Sequence, residues 1–135
     1  MTLEPLLAAS PAIRIHVAAV VPAFAIGTWQ IFASRKGAAA HRIVGFAYLG
    51  LMTMAALRAL FIHRLMPRAP LGLSPIHLLI PLTLFGIFGA LRGAATRNLA
   101  MHRWSMIGVY AGGLLIAGTL AFLPGRIMHQ VVFGP

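Results

Sequence analysis

The feature that most constrains this chain is a set of four apolar runs, residues 12–33, 41–61, 74–91 and 101–123, separated by short polar gaps. A helix rises about 1.5 Å per residue, so runs of roughly 20 residues each cross a hydrocarbon core of about 30 Å. A spanning segment must satisfy its own backbone, and a helix does so without a neighbour. The reading is therefore an all-α fold: a four-helix transmembrane bundle from two tandem helical hairpins, forming one four-span membrane domain over residues 1–135. Pro22 and Pro81 fall inside runs one and three, where membrane helices tolerate them. Ser74-Pro75 reads as the start of the third helix. Residues 1–11 lack the basic segment of a secretory leader and read as interfacial, as does the amphipathic tail 124–135.

Charge supports the same picture. Eleven Lys and Arg face a single acid, Glu4, and 60% of the 135 residues are hydrophobic. The basic residues lie mostly in the gaps between runs, where they meet lipid headgroups, and do not read as a nucleic-acid surface. No carboxylate lies in or near a span, which removes paired-acid catalysis, carboxylate-bridged metals and carboxylate proton relays. There is no cysteine, hence no disulfide and no thiolate ligand. Loops one and three hold Arg35, Lys36, Arg42, Arg92, Arg97 and Arg103, against Arg14, Arg64, Arg68 and Arg126 on the other side. The positive-inside rule then places loops one and three in the cytoplasm and both termini outside.

The chemistry-bearing residues are histidines. His41-Arg42 opens the second run and His102-Arg103 opens the fourth, each 25 residues after another histidine, His16 and His77. Four antiparallel spans would put His16 and His77 at one depth and His41 and His102 at the other. A porphyrin iron has two axial positions on opposite faces, so its ligands must come from opposing helices at equal depth. The pattern supplies that arrangement twice, with Arg42, Arg103 and Arg58 available for haem propionates. Two other readings use the same residues. His63 and His129 would join His16 and His77, with Met66 and Met128, in an outer copper or zinc site. Alternatively the histidines are interfacial groups in a cofactor-free subunit of a larger membrane complex. Small residues fill the spans, and Gly108 with Gly112 forms a small-xxx-small pair suited to close helix packing.

The ordered segments Lys36-Gly37, His41-Arg42, Gly45, Tyr48, Phe61-Ile62-His63, Ser74-Pro75-Ile76-His77-Leu78-Leu79, His102-Arg103-Trp104-Ser105-Met106 and Leu123-Pro124-Gly125-Arg126-Ile127-Met128-His129 resemble a bacterial family. That family is a domain of unknown function, described as a predicted four-span inner-membrane protein. The resemblance covers nearly the whole chain. One segment departs from it, since the family often has His-Arg-Arg-Trp-Met where Trp104-Ser105-Met106 stands here. The resemblance implies the membrane topology and no activity. In layout alone the chain is similar to di-haem transmembrane cytochromes b, including ascorbate-reducible and quinone-linked forms, which hold histidine pairs at both ends of a four-helix core.

The expectation is an integral membrane electron-transfer protein with two b-type haems, one on His16 and His77 and one on His41 and His102. Its partners would be the lipid bilayer, a quinone or a redox protein, and a larger complex or further copies of itself.

Overall fold

The computed structural model describes residues 1–62 and 75–135. His63, Arg64, Met66, Arg68 and Ser74, which the sequence reading singles out, lie outside the described residues. Among those described the chain is helical, with no strand. A short α1 (Glu4–Leu7) precedes α2 (Pro11–Phe32), α3 (Ala39–Ala59), α4 (Pro75–Ala95) and α5 (Leu99–Tyr110). A π-helical turn, Ala111–Ile116, joins α5 to α6 (Ala117–Ala121), and α7 (Ile127–Phe133) ends the chain. Four stretches are long and apolar enough to cross a membrane: Pro11–Phe32, Ala39–Ala59, His77–Ala95 and Leu99–Ala121.

The ends of these helices follow from local chemistry. Pro11 sits in the first turn of α2, where its missing N–H costs nothing. Gly37 turns the first loop at φ +80°, a conformation that side chains with a Cβ rarely adopt. The third helix runs past the expected 91 to Ala95, because Arg92 continues it and Gly93 packs inward. Asn98 then starts α5 by accepting a hydrogen bond from the Met101 N–H at 3.1 Å.

Helix α2 packs on α3 and α4 on α5, giving the two tandem hairpins; α3 also packs on α4, and α5 returns to α2. The ring places α2 diagonal to α4 and α3 diagonal to α5. Arg35, Lys36, Arg42, Arg92, Arg97 and Arg103 share one end, called the basic end below; both termini lie at the other. There α1 packs on α7, with a hydrogen bond from the Thr2 N–H to the Val131 carbonyl. The tail is thus a helix docked on the N-terminal turn.

Close approach between helices depends on glycines other than the pair the sequence suggests. Gly108 is exposed, and a Cβ on Gly108 or Gly112 would meet nothing within 4 Å. The packing ridge is on α4. A Cβ at Gly86 would fall 2.7 Å from Val109, one at Gly89 would fall 2.5 Å from the Ser105 hydroxyl, and one at Gly93 would strike the His102 backbone. This ridge brings α5 within side-chain reach of the α4 backbone. In the middle of the bundle Gly27 lies under two aromatic rings, Tyr48 and Tyr110. Around them a core of Ala23, Leu49, Met52, Ile87, Ala90, Val109 and Leu114 is buried.

Candidate functional site: two levels of anchored histidines

At the basic end the site begins with Gln30, only 2% exposed in the last turns of α2. A buried amide needs partners. Its Nε2 donates to the His41 carbonyl at 2.8 Å, across the first hairpin. Gly45 faces this amide, and a Cβ there would sit 3.4 Å from the nitrogen, in ordinary van der Waals contact. Ser34 donates its hydroxyl proton to the Gln30 carbonyl at 2.7 Å, and its oxygen lies 2.8 Å from His41 Nδ1. Lys36 folds back over the end of α2 and donates to the Gln30 carbonyl and, at 3.1 Å, to the Ile31 carbonyl. The last carbonyls of a helix have no intrahelical donors and carry partial negative charge, so an ammonium there is well placed.

His102 enters from α5. Its Nδ1 lies 2.8 Å from the Ala90 carbonyl of α4. The bond exists because the glycine ridge holds the two backbones together. His41 and His102 belong to diagonal helices and lie within electrostatic reach of each other.

The other end repeats one element of this design. His16 Nδ1 lies 2.8 Å from the Ala55 carbonyl, again across a hairpin, where small residues Ala19, Ala55 and Ala56 are buried. His77 starts the diagonal helix α4 at the same end and is half-buried.

These bonds set the tautomers. A carbonyl can only accept, so His16 and His102 must carry their ring proton on Nδ1. The Ser34 proton is committed to Gln30, so the Ser34 oxygen accepts from His41 Nδ1 as well. In the neutral ring Nε2 is then the bare nitrogen at all three positions. Metal-bound histidines are held in this way, with one ring nitrogen donating to an oxygen and the other on the metal.

Between the two levels stand the tyrosines. Tyr110 hydrogen-bonds Thr28 Oγ1 at 2.8 Å and stacks on Phe24. Tyr48 is 1% exposed, and its hydroxyl has no hydrogen-bond partner among the described residues. Seven residues separate His41 from Tyr48, about 10 Å along the helix. Tyr48 and Tyr110 belong to the buried core that lies between the two histidine levels.

Arg42, Arg58 and Arg103 are exposed in the terminal turns of their helices. His129 is half-buried on α7 with its ring against Phe133, at 5.1 Å between centroids. Among the described residues no group of three or more His, Asp or Glu side chains is gathered as a metal-ion site.

Sequence reasoning missed Gln30, Ser34 and Lys36. A signal for Gln30 was available: a lone amide inside an apolar run is costly unless something bonds it.

The chain belongs to the family described as predicted membrane protein (DUF2306), whose profile matches residues 13–133. It is a multi-pass membrane protein with four apolar helices of spanning length. Searches among curated proteins and among solved structures found no match.

Proposed function

We propose that the chain is a membrane electron-transfer protein holding two bis-histidine b-type haems, one on His41 and His102 and one on His16 and His77. The observation that carries this reading is the shared tautomer. Three of the four histidines have Nδ1 tied to an oxygen across a hairpin or loop, which leaves Nε2 as the ligating atom. Diagonal placement supports it, because axial ligands must approach from opposite sides of a flat group. A bound haem supplies one-electron chemistry. The chain's own residues orient the rings, and Tyr48 with Tyr110 stands between the two levels. Arg42 and Arg103 at the basic end and Arg58 at the other supply cations for propionates. By the count of basic residues the basic end faces the cytoplasm of a bacterial inner membrane, with the termini outside. A quinone or a small redox protein would exchange electrons at either face.

The same hydrogen bonds support a second reading, in which each histidine only ties a hairpin in a cofactor-free subunit of a larger complex. A reduced-minus-oxidised spectrum of the purified protein separates the two, with haem per chain measured as the pyridine haemochrome. The electron-transfer reading expects sharp b-type bands at about two haems per chain. It further expects His41→Ala and His102→Ala each to lose the same haem and spare the other. A featureless spectrum from folded protein expressed with haem available overturns it.

A further inference from the structure

Outside the bundle core, the membrane-facing side of the second hairpin carries a groove of about 570 Å³ between α4 and α5. Phe85 and Phe88 form its deep part, Trp104 flanks it, and Arg92, Asn98 and Ala100 form its mouth at the basic end. Phe85 and Trp104 are exposed, so nothing among the described residues covers the groove. We infer that this groove binds one anionic phospholipid, with its phosphate on Arg92 and Asn98 and an acyl chain along Phe88 and Phe85.

The polarity of the groove matches an amphiphile standing in that leaflet. Phe88 lies one turn and Phe85 two turns deeper than Arg92, about 6 and 10 Å along the axis. A guanidinium matches a phosphate geometrically. The Asn98 carbonyl oxygen is committed to the Met101 N–H, which leaves its amide N–H groups to donate.

Charge selects the anionic class. The only acidic side chain, Glu4, is in α1 at the opposite end, so no carboxylate at the mouth can pair with a choline or ethanolamine. Arg97 and Arg103 add further positive charge nearby. This site is independent of the haem reading and is read without it.

The test uses the full chain, delipidated in detergent, with dioleoyl phosphatidylglycerol or dioleoyl phosphatidylcholine added at equal concentration and bound lipid counted by native mass spectrometry. One phosphatidylglycerol per chain is expected to be retained in preference to phosphatidylcholine. Arg92→Gln should weaken that binding about fivefold, the effect of one interfacial charge, and leave phosphatidylcholine unchanged. Ala100→Trp, which fills the mouth without changing charge, should remove it. Arg97→Gln, outside the groove, should weaken it less than Arg92→Gln does. Equal retention of the two lipids overturns the proposal. So does an Arg97→Gln effect as large as that of Arg92→Gln, which would mean diffuse attraction, or a chain dimer that Ala100→Trp dissociates, which would mean that a second copy fills the groove.

Discussion

Replacing Gly27 with alanine tests the centre of the bundle. A methyl group there would lie 2.7 Å from Tyr48 Cε2 and 2.9 Å from Tyr110 Cδ2. Carbon atoms prefer about 3.5–4.0 Å, so both contacts are too short by roughly 0.6–1.3 Å. Neither ring can yield cheaply. Tyr48 is buried, and Tyr110 is held by Thr28 on one side and Phe24 on the other. Overpacking of this kind costs about 1–3 kcal/mol, while glycine to alanine within a helix returns about 0.5–1 kcal/mol. The net expectation is a loss of about 1–2 kcal/mol.

Gly108→Ala is the matched control, because its added methyl meets nothing. It should stabilise by up to about 1 kcal/mol through helix propensity alone. Both variants make the same chemical change, so their unfolded states shift alike and the difference of about 1–3 kcal/mol reports packing. Unfolding by sodium dodecyl sulfate in mixed micelles, followed by circular dichroism, measures it. If Gly27→Ala were as stable as Gly108→Ala, the two rings would not rest on Gly27 and the central layer would be wrong.

The same assay distinguishes the two tyrosines. Tyr110→Phe loses its bond to Thr28 and should cost about 0.5–1.5 kcal/mol, whereas Tyr48→Phe removes a buried hydroxyl without a partner among the described residues and should be neutral or stabilising by about 1 kcal/mol. The opposite order would sink the assignment of partners. Ser34→Ala removes the acceptor for His41 Nδ1, and loss of such an orienting partner weakens metal affinity about 10–100-fold. On the electron-transfer reading, haemochrome analysis should find the haem at the basic end depleted and the other retained; equal retention of both would remove Ser34 from that role.

Why the sequence gives up the fold class and not the site follows from the solvent. Run length against bilayer thickness needs no knowledge of which way a side chain points, so four spans and two hairpins are legible in residues 12–123. Rotation of each helix is different. In water an apolar stripe marks the inward face, but lipid is as apolar as the core, and α2 and α3 are apolar all round. Gly108 and Gly112 therefore look as good a packing pair as Gly86, Gly89 and Gly93. Only the structure shows that the α4 glycines hold the close contact. That His41 and His102 lie at the same end of the bundle is legible from depth alone. The groups that orient those rings, Ser34 and the Ala90 carbonyl, are not, because one is a loop hydroxyl and the other is backbone.

That choice of partners makes a last prediction. Histidines that bind metals are often oriented by carboxylates, and this chain has none within its spans. A carboxylate would hold the ring as an ion pair, which is expensive inside a bilayer. A carbonyl or a hydroxyl oxygen orients the ring with no charge on either partner and leaves it in the neutral form that ligates iron. Nitrogen-15 NMR of selectively labelled, haem-free protein in lipid reads this directly, since the protonated and bare ring nitrogens resonate far apart. His16, His41 and His102 should all show the proton on Nδ1 and a bare Nε2. Replacing Ser34 with alanine should let His41 take up the other tautomer while His16 and His102 keep theirs, because their acceptors are main-chain carbonyls that no side-chain substitution removes. Mixed tautomers at all three positions in the unaltered protein would mean that the rings are not held, and the support for axial ligation would go with them.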